Sequence, residues 1–242
     1  MFNDFFCSQF DLDDTNIPTP NIFLRQQGSL GHIDIAENEV EDILFFLDIS
    51  KASGPDAISP RFLKEVTQIF KSPLCRLFNL SLRTGIFPTN WKCANVTLIF
   101  KIDSPSNDKN YRPISLISVI GKIMERCVCK HIHNYLLENN IIINNQSGFT
   151  NGDSAIYQLI NITNEFGKAL DEDKEVRVIF CDISKAFDRV WHRGLLKKLE
   201  SIGIRGSLLD CVQNYLSGRK QRVVINNVSF DWGFIKAGVP QR

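Results

Sequence analysis

Residues 175–190 read EVRVIFCDISKAFDRV, from Glu175 to Val190. Val176, Val178, Ile179 and Phe180 make an apolar run of strand composition, and Asp182 stands at its end. The chain then turns into a short element carrying Lys185, Phe187 and Arg189. A carboxylate held at a strand end is a candidate metal ligand, because nucleotidyl transfer at Mg²⁺ uses hard oxygen donors on rigid elements. The same placement suits a turn former or a helix N-cap, the commoner role of an Asp after an apolar strand. Asp188 is either a second ligand or, beside Ala186 and Phe187 at a helix start, a cap or ion-pair partner.

Working outward, Leu195, Leu196, Leu199 and Ile202 predict a short helix, and Leu208, Leu209, Val212, Tyr215 and Leu216 another that stops at Gly218. Gln221 to Asn226 and Val228 to Lys236 then flank Asn226-Asn227, the signature of a two-residue hairpin turn. On the N-terminal side, helical spacing runs through Ile156, Leu159, Ile160, Thr163, Phe166 and Leu170, and through Ile120 to Leu136. Asn95 to Lys101 predicts a strand, followed by a polar loop and then YRPISLISV. Val40, Ile43, Leu44 and Leu47 share one helix face; a further helix is expected over Arg61 to Phe70, and a third from near Pro73 to Gly85. Residues 1–35 lack periodicity and read as a leader or linker. The sum is a mixed, helix-rich chain of the α/β or α+β kind.

With 242 residues, 43% of them hydrophobic, the chain can bury a sizeable core and is not a disordered composition. Its seven scattered cysteines include no Cys-x-x-Cys pair, which favours a reduced, intracellular, unsecreted protein over a disulfide scaffold. No apolar run reaches the length of a spanning helix, so no membrane partner is expected. The net charge of +1 conceals a gradient: residues 1–60 hold 2 Lys/Arg against 11 Asp/Glu, residues 182–242 hold 11 against 5. A basic C-terminal third suits a polyanion such as nucleic acid, or merely a solvated helix face.

Other motifs are weaker. Lys101 and Arg112 flank a polar loop and could clamp a triphosphate between two cations, or be solvated charges on a flexible hairpin. Cys127, Cys129, His131 and His133 have the look of a zinc box, but on a helix Cys127 faces with His131 and Cys129 with His133, so buried thiols and surface histidines are the better account. His192 reads as structural. Asp11 to Asp14 and Asp171 to Glu175 read as solvated loops.

In order, five blocks resemble the reverse transcriptase of non-LTR retrotransposons, the long interspersed element type, and within it jockey-like elements: KASGPDAIS (51–59), FPTNWKCANVTLIFK (87–101), NYRPISLISVIGKIMERCV (110–128), NNQSGFTNGDSAIYQL (144–159) and VIFCDISKAFDRVWHRGLLKKLESIGI (178–204). AGVPQ (237–241) begins a sixth. The resemblance implies an α+β right-hand polymerase, helix-rich with a mainly antiparallel palm sheet, in which residues 36–242 form a partial reverse transcriptase domain: fingers over about 36–170 and part of the palm over about 171–242. It implies RNA-directed DNA polymerisation with dNTPs, an RNA template, a DNA primer and two Mg²⁺ ions. On that resemblance Asp182 is the first catalytic carboxylate and Mg²⁺ ligand. Lys101, Arg112, Phe187 and Gln241 serve the nucleotide, Phe187 by excluding a ribose 2′-hydroxyl, while Gln146, Gly148 and Phe149 lie near the template.

Members of that family follow GVPQ with a glycine-serine turn and later carry a Tyr-x-Asp-Asp box with the other two carboxylates. Neither occurs in the 242 residues. The expectation is therefore a piece of the domain that is inactive in isolation, with a non-catalytic RNA- or DNA-binding remnant as the alternative. The sequence does not indicate an oligomeric state.

Overall fold

The computed structural model describes residues 2–10, 17–19, 28–101, 104, 106–143, 145–150 and 152–240. Two compact units emerge, one built from Met1–Tyr135 and Lys185–Arg242, the other from Leu136–Ser184. Compactness thus divides the chain at 136 and 184, whereas the sequence suggested a boundary near 170.

The first unit opens with helix α1 (Phe2–Ser8). Helix α2 (Glu37–Phe45) follows, buries Val40 and Leu44, and begins where the Glu39 carboxylate accepts the Ala36 N–H at 3.1 Å. Helix α3 (Pro60–Glu65) starts with proline at its first position and Ser59 Oγ accepting the Phe62 N–H at 3.1 Å. Its neighbour α4 (Thr67–Thr84) runs straight through Pro73. The single expected helix over 61–70 is therefore two, broken at Val66, and the third helix begins six residues before Pro73. Proline's missing N–H is tolerated inside α4, where burial of Leu74, Cys75, Phe78 and Leu82 outweighs one lost backbone bond. Gly85, at φ +68°, ends α4 in the left-handed conformation, as its sequence position predicted.

Strand β1 (Cys93–Phe100) pairs antiparallel with β2 (Tyr111–Ile117), which leads into helix α5 (Val119–Glu138). The second unit contributes helix α6 (Ala155–Asp171), and the first unit resumes with α7 (His192–Ser201) and α8 (Gly206–Leu216). Three strands close the chain: β3 (Arg219–Ile225), β4 (Val228–Ser229) and β5 (Gly233–Ile235). The sheet runs β2-β1-β3-β4 with β5 also on β3; only the β1–β3 pairing is parallel. Asn226 and Asn227 both adopt positive φ, 50° and 64°, which is the turn geometry expected of that pair in a hairpin. The register shifts by one residue between β4 and β5, which splits the expected single strand Val228–Lys236 in two.

One sheet face is buried by strict alternation: Ala94 and Val96 on β1, Ser115 and Ile117 on β2, Arg219, Gln221 and Val223 on β3. Helix α1 lies on this face, with Phe6 packed against Val96 and Val223 and the Asn3 carboxamide oxygen accepting the Val223 N–H at 3.0 Å. Residues 2–10 are thus part of the core and not a leader, and Leu30, Ile33 and Ile35 also engage the first unit. A helix of two turns is too short to show periodicity, and the surface that orders it is a sheet assembled from strands far along the chain. A second core joins α4, α5 and α8 around Phe78, Phe87, Trp91 and Tyr215, whose rings meet edge-on at 5.1 to 6.0 Å.

In the second unit, Ser154 caps α6 by accepting the Tyr157 N–H at 3.3 Å. The expected apolar stripe is present, yet α6 buries none of its residues; Ile156, Leu159, Ile160 and Leu170 are all exposed. Residues 175–183 form no strand, contrary to the sequence reading. A strand is held by hydrogen bonds to a neighbour, and among the described residues none pairs with this run.

Candidate functional site

The site is organised by the turn that follows Asp182 and by the Ala237–Pro240 loop. Residues 184–189 form a tight turn, and Val190 leads into α7. Against it sits Gly238, whose N–H donates to the Val190 carbonyl at 2.9 Å, while the Val239 N–H donates to the Phe187 carbonyl at 2.9 Å. His192, at the start of α7, completes the clamp: its Nε2 lies 2.7 Å from the Gly238 carbonyl, which can only accept, so the ring carries its proton on Nε2. This is the structural role the sequence suggested for His192. A Cβ on Gly238 would stand 2.6 Å from the Asp188 carbonyl oxygen, 2.6 Å from the Phe10 ring and 2.8 Å from the Phe187 carbonyl oxygen, at φ +77°. Only glycine fits there.

Asp188 is the residue whose role the sequence left open, and among the described residues it neither caps a helix nor forms an ion pair. Its carboxylate is half-buried, and among the described residues one oxygen, Oδ1, has no hydrogen-bond partner. Burial pushes its pKa up, opposed by the charges of Lys185, Lys101 and Arg189. Lys101 is thus within electrostatic reach of the turn. It leaves β1 with its N–H donating to the Asn110 carbonyl at 2.8 Å, and Arg112 pairs with Ile99 one step along the β1–β2 ladder. The structure brings Lys101 and Arg112 to the same end of one hairpin, both exposed. Phe187 lies in the turn and is partly exposed.

Beneath the loop, Arg219 is fully buried among Ser115, Gln221, Gly238 and Val239. Its guanidinium stacks 4.8 Å from the Tyr215 ring and Nη1 donates to the Tyr215 carbonyl at 3.3 Å. Burial lowers its pKa, and among the described residues Nε and Nη2 have no partner. Nothing in the local sequence distinguishes this arginine from the half-buried Lys220 and Arg222 beside it; the strand alternation does, once the buried face is known.

Asp182, Gln146, Gly148 and Phe149 belong to the second unit. Asp182 is exposed and stands in irregular backbone instead of at a strand end. Gln146 is exposed, with Nε2 donating to the Gly148 carbonyl at 2.8 Å, and Phe149, at φ +63°, is almost entirely exposed. Gln241 lies outside the described residues, as do the acids Asp11 to Asp14. On α5, Cys127 is buried, its thiol pushed up to about 12 by burial, whereas Cys129 is exposed. His131 instead engages the Glu39 carboxylate of α2 at 3.1 Å. Among the described residues no group of three His, Cys, Asp or Glu side chains could hold a metal ion. Nor, among them, is any helix long and apolar enough to cross a membrane.

Residues 103–241 match the family described as "Reverse transcriptase (RNA-dependent DNA polymerase)". The chain is 33% identical over 217 residues to the RNA-directed DNA polymerase from mobile element jockey of Drosophila melanogaster, covering 89% of this chain and 24% of that protein. The jockey polymerase of Drosophila funebris is 32% identical, over 84% of this chain and 22% of its own length. The "Probable RNA-directed DNA polymerase from transposon BS" of Drosophila melanogaster is 31% identical, over 89% and 24%. The chain therefore spans about a quarter of the length of the curated relatives it matches.

Proposed function

Since the chain belongs to the reverse transcriptase (RNA-dependent DNA polymerase) family, we propose that it supplies part of the nucleotide site of an RNA-directed DNA polymerase of the non-LTR retrotransposon kind. In this reading Lys101 and Arg112 hold the incoming triphosphate, Phe187 limits the sugar to deoxyribose, and Asp182 contributes a carboxylate toward a divalent metal. Gln241 borders the nucleotide, while Gln146, Gly148 and Phe149 border an RNA template on which a DNA primer is extended. The residues 36–242 are read as fingers and part of the palm.

The observation that carries the reading is the clamp among Phe187, Val190, His192 and Gly238, which joins the two sequence blocks on which the resemblance most depends. It places Phe187 and Asp188 in a backbone fixed by hydrogen bonds from the GVP loop, in the same unit as Lys101 and Arg112. Two cations on one hairpin end offer fork and point-charge donors to phosphate oxygens without burial.

A magnesium ion would supply charge neutralisation of the phosphates and a polarised attacking oxygen. The described residues do not by themselves assemble its site: Asp182 is one exposed donor where octahedral Mg²⁺ takes about six oxygens, and no cluster of three ligating side chains surrounds it. Beside that single carboxylate, the chain's own contribution to the nucleotide site is phosphate binding by Lys101 and Arg112 and sugar selection by Phe187.

Titration of the 242-residue chain with a fluorescent dNTP tests this. Lys101→Ala and Arg112→Ala should each weaken binding about tenfold with or without Mg²⁺, in line with loss of a charge-assisted hydrogen bond. Asp182→Asn should remove only the Mg²⁺-dependent increment. Equal affinity in all four proteins would overturn the assignment.

A further inference from the structure

Arg219 is a cation carried into the core by strand alternation, and the donors it has left over share one edge. Its side chain is 1% exposed, the Tyr215 ring lies 4.8 Å from the guanidinium carbon, and Nη1 donates to the Tyr215 carbonyl at 3.3 Å. Those two contacts hold the guanidinium plane. Among the described residues Nε and Nη2 have no hydrogen-bond partner. In a guanidinium these two nitrogens form one edge whose N–H bonds run side by side, the fork that grips a single anion. Arg219 lines a cavity of about 10 Å³ with Phe10, Ser115, Gln221, Gly238 and Val239, room for about one water-sized body.

The charge has no counterpart nearby. Among the described residues the ionisable groups acting on Arg219 are Tyr215, Cys93 and the cation Lys92, none of them a carboxylate. Lys92 is also buried, its Nζ donating to the neutral Asn214 Oδ1 at 2.7 Å. Burial, together with the charge of Arg219, pushes the Lys92 pKa down, so that ammonium has the option of losing its proton. A guanidinium does not, and an unpaired buried charge is costly.

We propose that the cavity beneath the Ala237–Pro240 loop binds one small monovalent anion of chloride size, gripped by Nε and Nη2 of Arg219. A water molecule would satisfy the two N–H groups but not the charge. Phosphate and sulfate, with four oxygens around a central atom, exceed a space for one water-sized body. Gly238 and Val239 line the cavity and also donate to Val190 and Phe187, so the anion braces that clamp from beneath. The proposal does not rest on the nucleotide reading, because neither Lys101 nor Arg112 lines the cavity.

Thermal unfolding of the 242-residue chain in sodium chloride against sodium gluconate, at equal ionic strength, tests it. Both salts screen alike, and gluconate is too large to enter. Above the dissociation constant, each tenfold rise in chloride at fixed ionic strength should raise the midpoint by about 4 °C, as mass action requires of a ligand bound by the folded chain alone. Hydrogen exchange at the Gly238 and Val239 amides should slow with it. Arg219→Met, which keeps an apolar stem against Tyr215 and buries no charge, should fold and lose the rise. Lys198→Gln, an exposed cation on α7, should keep it. The chloride NMR line should broaden when the chain is added and sharpen again with bromide, which competes for the fork. Equal midpoints in the two salts, or an Arg219→Met chain that keeps the chloride rise, would overturn the assignment and leave the cavity to water or to a carboxylate of the chain. Should Arg219→Met fail to fold, the salt comparison and the line width of the parent chain still decide.

Discussion

Gly238 donates its backbone N–H to the carbonyl of Val190 at 2.9 Å, tying the loop before the chain's last residues to the turn that follows Asp182. The bond exists because Gly238 holds φ +77° with backbone oxygens of Phe187 and Asp188 pressed against the place of a Cβ. That contact turns a glycine of unremarkable sequence context into the position on which the turn depends.

Gly238→Ala should destabilise the fold by about 3 kcal/mol, combining left-handed strain with a clash against backbone that cannot rotate away. Gly218→Ala, at φ +65° but with open space around it, should cost only about 1 kcal/mol. Urea denaturation of both variants checks the difference.

Phe6→Ala should cost about 3 kcal/mol, because the ring is buried against Val96 and Val223. A leader peptide would show no change in the denaturation midpoint.

Asp188 should make the protein less stable as pH rises. Its folded pKa lies above its unfolded one, so its contribution is fully present below the usual Asp range and is lost as pH climbs through the folded value. Asp188→Asn should therefore raise the thermal midpoint at pH 7 and leave it nearly unchanged at pH 3.

Glu39 should act with the opposite sign. Burial works to raise its pKa, but the Ala36 N–H, His131 and Lys130 hold it below the ordinary Glu range. Its stabilisation is present above the unfolded pKa and lost as pH falls through the folded one. Glu39→Gln should cost about 1 kcal/mol at pH 7 and little at pH 3.

Much of the local structure was legible because its causes are local. The Val40–Leu44 stripe, Gly85 as a helix stop, the β1 strand and the Asn226-Asn227 turn are each written in spacing, composition or a residue's permitted φ. Family membership was legible too, since ordered blocks such as NYRPISLIS and FCDISKAFDRVW carry it without any structure. What failed did so for want of a partner. The apolar run before Asp182 has strand composition, but no described strand pairs with it, and α6 has its stripe without a core to receive it. Residues 2–8 failed in the other direction, a short segment without periodicity that the sheet nonetheless orders.

The sequence by itself determined helices α2 and α5 to α8, the Asn226-Asn227 turn and the kinship, all of which depend on residues near one another or on blocks in order. Only the tertiary structure decided that Arg219 points into the core while Lys220 and Arg222 face outward beside Phe234 and Trp232, and that Gly238 closes on Phe187 and Val190. Those are questions of which face is buried and which backbones touch, and burial is a property of the assembled sheet that no stretch of chain possesses alone.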